Sequence, residues 1–250
     1  MAGRQMTNIQ SNRIYLIDYA RGCAIITMAI FHFTWDLEFF GFVERGLTAT
    51  FEWKTFARCI ASSFLFLAGL SLILGHDPNF RARSFAKRLI WLVGAAAIIS
   101  AATYYAMPGA PIFFGILHSI AAASVIGLLL RKLPAIVLLI LAIIVFFAPF
   151  YLRSQFFDAP LLWWVGLNAN IPRSNDYVPL LPWLAPFLVG MATAKILRAK
   201  GLFENLRNHQ TPPSNLISKA LGFLGRHSLA TYLLHQPILL GLVWMTAQIL

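Results

Sequence analysis

Seven apolar stretches of membrane-spanning length run along the chain, at about 14–36, 54–75, 88–107, 112–130, 133–152, 179–198 and 228–249. Each holds about 20 residues, the length a helix needs to cross a hydrocarbon core, and none alternates strictly as a barrel strand would. Lipid offers no hydrogen-bond partner to an open backbone, so the pattern predicts helices and excludes an open sheet. The expected fold is all-α: a polytopic transmembrane helix bundle of about seven spans, forming one integral-membrane domain over residues 1–250. Residues 156–181 break the pattern. The Leu161-Leu162-Trp163-Trp164 core is too short to span, and Pro160, Pro172, Pro179, Pro182 and Pro186 interrupt its surroundings. The segment reads as interfacial or re-entrant and anchored by tryptophans, with an eighth crossing left open. Pro212 to Leu224 reads as an interfacial helix leading into the last span.

Composition agrees with the pattern. Hydrophobic residues make up 59% of the chain and charged residues 12%, too little charge to cover a soluble domain of this length. The net charge of +11 could suggest nucleic acid, but its distribution argues for membrane topology. Arg81, Arg83, Lys87 and Arg88 stand against Asp77 alone in one loop, and Arg131-Lys132 fills another. Lys195, Arg198, Lys200, Arg207, Lys219 and Arg226 stand against Glu204 alone in a third. The intervening loops lack this bias, which puts the amino terminus in the cytoplasm and the carboxyl terminus outside. No cleavable signal is evident in the first stretch. Cys23 and Cys59 fall at different membrane depths, beyond disulfide reach. No spacing of histidines and cysteines suggests a metal.

Ionisable residues interrupt the first span. At about 100° per residue, Arg21 lies roughly 60° from Asp18, His32 roughly 40°, and Asp36 nearly at zero. The four share one stripe, with Arg21 and His32 roughly 16 Å apart along the axis. Charge inside a bilayer is costly and faces protein or a water-filled cavity, which marks this helix as the working one. Asp18 and Arg21 fit either a local ion pair with a snorkelling arginine or a site where Arg21 receives an anionic group. His32 with Asp36 one turn on has the spacing of a base and its orienting carboxylate, against the alternative of a histidine bonded to a neighbouring helix. Arg58 in the second span is a partner for Asp36 or for Glu52.

His118 enters the fourth span at a depth comparable with His32, as a packed interface histidine or a second catalytic one. In the last span Ser228, Tyr232 and His235 form a second polar stripe, and Pro237 would kink the helix. The run Phe64 to Ser71 is chemically silent, though Gly69 and Ser71 suit close helix packing.

Several of these blocks resemble one family. Ile17-Asp-Tyr-Ala-Arg-Gly-Cys-Ala-Ile25 and Phe31-His-Phe-Thr-Trp-Asp-Leu37 resemble the opening helix of the heparan-α-glucosaminide N-acetyltransferase catalytic-domain family. Phe64 to Ser71 and Leu224-Gly-Arg-His-Ser-Leu-Ala-Thr-Tyr-Leu-Leu-His-Gln-Pro237 resemble its later blocks. The Arg21-x10-His32 spacing is similar to that of the wider group of membrane acyltransferases that decorate bacterial envelope sugars. The likeness runs from about residue 13 to 240. It implies transfer of an acyl group, usually acetyl from acetyl-coenzyme A, to a glycan or similar acceptor across the membrane, with Arg21 and His32 as the motif pair and His32 as base. The chain is shorter than larger members and lacks their soluble extracytoplasmic domain, so the acceptor does not carry over.

The residues and the resemblance together give a membrane acyltransferase of the bacterial inner membrane. Arg21 and Asp18 serve the donor, His32 and Asp36 the chemistry, and Arg58, His118, His235 and Tyr232 the acceptor or the surrounding shell. Partners are acyl-coenzyme A, an envelope glycan and the bilayer, without nucleic acid and without metal. The rival from another class is a small proton-coupled permease with His32, His118 and His235 as a relay. The topology predicts that a cysteine at position 204 is protected from an impermeant reagent in intact cells while one at 170 reacts; the reverse labelling would invert the orientation.

Overall fold

The computed structural model of the protein describes residues 14–210 and 212–249. The terminal positions 1 and 250, on which the inside and outside assignments were placed, lie outside the described residues. Among those described, nine α-helices account for nearly all regular structure: α1 (Tyr15–Phe39), α2 (Phe51–His76), α3 (Ala82–Ala106), α4 (Ile116–Leu130), α5 (Ala135–Leu152), α6 (Leu180–Ala199), α7 (Leu202–His209), α8 (Leu216–Arg226) and α9 (Ser228–Ala247). Six of these are long and apolar enough to cross a membrane, and α4 is a shorter apolar helix. The chain is an integral membrane protein built as a polytopic helical bundle of about seven spans.

The centre of the bundle is α2 against α6, with α5 on the far side of α6. Leu65, Leu72 and Ile73 of α2 meet Phe187, Leu188 and Met191 of α6 and Leu138 of α5, all but fully buried. This contact is close because it is made backbone to backbone. A Cβ at Gly69 would run into the carbonyl oxygen of Phe187, and one at Gly190 into that of Phe66. Van der Waals contact and small residues, rather than hydrophobic exclusion, hold helices together in lipid. The outward faces carry exposed Ile90, Trp91 and Ile98 on α3, Ile136 and Ile143 on α5, and Ile238 and Trp244 on α9, an apolar belt suited to acyl chains.

Two boundaries differ from the sequence pattern in ways that matter, and the open question of residues 156–181 is answered. Helix α3 begins at Ala82 rather than near residue 88, because a basic first turn is no obstacle to a helix whose end emerges at the interface. Arg88 is thereby drawn inside. Helix α4 begins at Ile116 rather than 112, since Phe114 is extended and bridges Tyr177. Residues 156–181 form no eighth span. They make 3-10 turns at Gln155–Asp158 and Pro160–Val165, then return across the end of α4. Asp158 accepts from the backbone and side chain of Asn170 at 3.0 and 2.8 Å, and the Tyr177 hydroxyl reaches the Trp163 carbonyl at 2.7 Å.

This returning segment delivers Asp176 to the N-terminus of α4, where its Oδ2 accepts from the Ile116 N–H at 2.9 Å. The approach needs a glycine, because a Cβ at Gly115 would collide with the same carboxylate. Helix α8, read from sequence as interfacial, does leave Leu216, Ile217 and Phe223 exposed. Its other face packs on α1, with Gly225 against the Asp18 backbone and Leu221 against Gly22. Asn215 caps it through the Ser218 N–H at 2.8 Å. Cys23 and Cys59 are free and exposed.

Two substitutions test this account. Gly190→Ala should destabilise the bundle by about 1–3 kcal/mol through overpacking, read as a lowered thermal midpoint in detergent. Gly94→Ala, where an added Cβ meets nothing within 4 Å, should leave the midpoint unchanged or slightly raised. Burial lifts the Asp176 carboxyl from 3.8 to about 6, partly offset by its bond from Ile116. An acid with a raised value favours its neutral form in the fold, so its contribution to stability is present below about pH 4 and lost as pH rises through 6. Asp176→Asn keeps an acceptor for Ile116 and removes the charge; its thermal midpoint should exceed wild type at pH 7.5, and the advantage should vanish near pH 4.

Candidate functional site

Two cavities enter the bundle beside α1. One, of about 290 Å³, is lined by Arg21, Arg88, Trp91 and Ser228 among others. The second, of about 230 Å³, is lined by His32, Arg58, Asp176, Tyr177 and Trp183 among others. Phe64, Ile116 and Tyr232 belong to both walls, so the chambers abut at a constriction made by these three side chains. Of the three, only Tyr232 carries a polar side-chain atom. The ring of Tyr232 stands edge-on to Phe64, with centroids 6.5 Å apart.

At the first chamber, Arg21 donates through Nη1 to Asp18 at 3.2 Å and through Nη2 to the Ser71 hydroxyl at 2.5 Å. Asp18 is buried against α8. The guanidinium is therefore held from two helices while a face of it remains in the cavity wall. Ser71 belongs to the run that looked chemically silent in the sequence; its role is to fix Arg21.

At the second chamber, the Nδ1 of His32 lies 2.7 Å from the Nε2 of His235, and the Nδ1 of His235 lies 2.6 Å from the Tyr232 carbonyl. A carbonyl only accepts, so His235 Nδ1 carries the proton. With both rings neutral, His235 Nε2 then receives the His32 Nδ1–H, and the lone pair of His32 is left on Nε2. The ring centroids are 4.8 Å apart, and the ring of His32 stands in the chamber wall. The pair can accept a proton at His32 Nε2 while its other nitrogen is kept in one tautomer.

Asp36 does not orient His32. It is fully buried, and its Oδ1 accepts from Gln236 Nε2 at 2.7 Å, which leaves Asp36 Oδ2 and Gln236 Oε1 without a partner among the described residues. Side chains at i and i+4 lie on one face of a helix and both meet α9, so each finds a partner there instead of the other. Arg58 is exposed to the second chamber and makes no ion pair with Asp36 or Glu52 among the described residues. His118 stands apart from both chambers. It accepts from the Gly115 N–H at 3.3 Å through Nδ1 and lies 3.3 Å from Ser100 through Nε2, a tie between α3 and α4. Ser228 and Tyr232 reach the cavity walls, and Pro237 stays inside a continuous α9.

Asp176 and Gln236 join the site without having been singled out in the sequence, whereas Ser71 reads there only as a packing residue and Arg88 as part of a basic loop that would draw the donor's phosphates. Gln236 is flanked by His235 and Pro237, and Arg88 recurs on the inward face of α3 with Phe85 and Leu92, so both had a periodic signal. Asp176 had none. Among the described residues no group of three or more His, Cys, Asp or Glu is arranged to hold a metal.

The family described as heparan-alpha-glucosaminide N-acetyltransferase, catalytic, matches residues 13–237. No curated protein and no solved structure matches the chain. The matched range takes in the whole of α1, both chambers and α9 as far as Pro237, which is nearly the entire length. The chain belongs to the heparan-alpha-glucosaminide N-acetyltransferase catalytic family, as a membrane acyltransferase-like protein.

Proposed function

We propose that the protein moves an acyl group, acetyl in the family's usual chemistry, from acyl-coenzyme A on the cytoplasmic side to a sugar or glycan hydroxyl or amine on the outer side of a bacterial inner membrane. The observation that carries the reading is the meeting of two chambers at Tyr232, with arginine on one side of the constriction and the His32–His235 pair on the other. Residues 1–250 act as a single domain in this reading.

The donor's phosphates sit at the Arg21 end, where Asp18 and Ser71 hold the guanidinium. Arg21 and His32 are separated by roughly 16 Å of helix, a span suited to a narrow pantetheine arm passing the constriction. The thioester then lies near Tyr232, whose hydroxyl donates to the carbonyl oxygen as negative charge develops there. His32 Nε2 takes the proton of the acceptor, the freed oxygen or nitrogen attacks the carbonyl carbon, and the carbon–sulfur bond breaks. The departing thiolate recovers the proton from His32. Attack by His32 Nε2 itself, with an acyl-histidine passed on to the acceptor, fits the same geometry. His235 positions the base by fixing its tautomer, and Asp36 acts one step further back by holding Gln236 beside it. Arg58 and Asp176 flank the acceptor.

The permease reading needs His32, His118 and His235 in one relay. His32 and His235 do touch, but His118 is engaged between α3 and α4 and lines neither chamber. The enzyme reading uses Arg21, Tyr232, His32, Arg58 and Asp176, all of which line a chamber.

Purified protein incubated with labelled acetyl-coenzyme A and candidate acceptors tests the proposal through thioester loss. His32→Gln should lower transfer by roughly 10²–10⁴ fold, the usual worth of a positioned acid–base group, while coenzyme A binding survives. Arg21→Ala should weaken coenzyme A binding first. Full transfer by His32→Gln, or a wild-type protein that neither binds nor consumes any acyl-coenzyme A, would overturn the reading.

A further inference from the structure

We infer that Asp36 is held as the neutral acid, its Oδ2–H donating to Gln236 Oε1, so that the two side chains form a doubly hydrogen-bonded acid–amide pair that positions the α9 turn behind His32. This goes beyond the acyl-transfer reading, which needs only that Asp36 hold Gln236, and it stands on the packing alone. Asp36 is fully buried. One bond of the pair is in place: Gln236 Nε2 donates to Asp36 Oδ1 at 2.7 Å. The two atoms left over, Asp36 Oδ2 and Gln236 Oε1, are both buried oxygens without a partner among the described residues. Each belongs to a planar group whose other polar atom is already bonded across the pair. As carboxylate and amide the leftover oxygens are two acceptors and cannot bond. A neutral acid presents one donor and one acceptor, the complement of an amide edge. A single proton therefore answers both.

The charges around Asp36 point the same way. An ionised carboxylate at membrane depth requires a cation, and among the described residues no Lys, Arg or His stands in ion-pair contact with it. On α9, His235 is engaged with His32 at 2.7 Å and with the Tyr232 carbonyl at 2.6 Å. His32, one turn back on α1, is thereby committed to His235 through Nδ1. On α2, Arg58 opens on the second chamber and Glu52 is exposed. Asp36 and Gln236 line neither chamber, and a proton, unlike a metal cation with its shell of oxygens, needs no room between them.

Infrared spectroscopy of the purified protein in detergent reads the proton directly. At about pH 7 wild type should show the carbonyl stretch of a protonated carboxyl group that Asp36→Asn lacks, since burial can keep an acid neutral at that pH. Asparagine still offers one donor and one acceptor, so its thermal midpoint should stay near that of wild type. Asp36→Leu strands both Gln236 groups and should lower the midpoint; the infrared arm carries the test if this variant does not fold. In transfer assays the asparagine variant should retain more activity than the leucine one. The acid limb of its pH profile should match wild type, because no negative charge has been taken from beside His32. Carboxylate bands lost in Asp36→Asn, an asparagine midpoint as low as that of leucine, or an acid limb moved to lower pH would each overturn the inference. So would a wild-type midpoint that rises in sodium chloride over choline chloride and ceases to do so in Asp36→Asn, which would put a cation where the proton is assigned. Wild type with the acid band but no consumption of acyl-coenzyme A would keep the pair and remove the acyl-transfer reading; transfer by a protein whose Asp36 is ionised would do the reverse.

Discussion

A helix that carries Asp18, Arg21, His32 and Asp36 on one stripe cannot show that stripe to lipid, and the remainder of the bundle is arranged around covering it. The cover comes from three other helices. Ser71 of α2 takes Arg21, the backbone of α8 closes over Asp18, and His235 and Gln236 of α9 take His32 and Asp36. Each partner answers a polar group whose burial alone would cost several kcal/mol. The cover is tight only because small residues permit it. Gly22 and Gly225 let α8 approach α1 to backbone distance, and without that approach α9 could not begin beside the same helix.

The same constraint shapes the cavities. Arg21 and His32, each held by partners on one side, stand in the walls of the two cavities. Between them the walls close on Phe64, Ile116 and Tyr232. Two aromatic rings and an isoleucine thus separate the arginine-lined cavity from the one that holds His32. A tyrosine at the constriction places a hydrogen-bond donor where neither chamber alone has one.

Much of this was legible in the sequence, for reasons that also explain the gaps. The long apolar runs gave the spans because lipid imposes length and composition on each helix separately. The start of α3 was not legible, since Arg81, Arg83 and Lys87 look alike whether they lie in a loop or in a snorkelling first turn, and Arg88 was read with that loop rather than on the helix. The stripe on α1 was legible because the helical period acts within one element. Its partners were not. His235 is 203 residues from His32, and only packing decides that it, rather than the nearby Asp36, meets the imidazole. Asp176 sits in an irregular segment whose path is fixed by the Asp158–Asn170 and Tyr177–Trp163 hydrogen bonds, and irregular backbone leaves no periodic trace.

The replacement of Asp36 by His235 as the partner of His32 has a chemical consequence. A carboxylate beside an imidazole favours the imidazolium, which strengthens the base but leaves an ion pair to be housed within the bilayer. A second neutral imidazole fixes the tautomer and brings no net charge. Its own outer nitrogen is anchored on the Tyr232 carbonyl, so the two imidazoles and the tyrosine at the constriction are joined through one turn of α9. Any movement of that turn would change the aim of His32 Nε2 and the width of the constriction together. The outer nitrogen of His32 and the constriction are thereby set by the same piece of backbone, with Asp36 and Gln236 fastening that turn to α1 from the next position along.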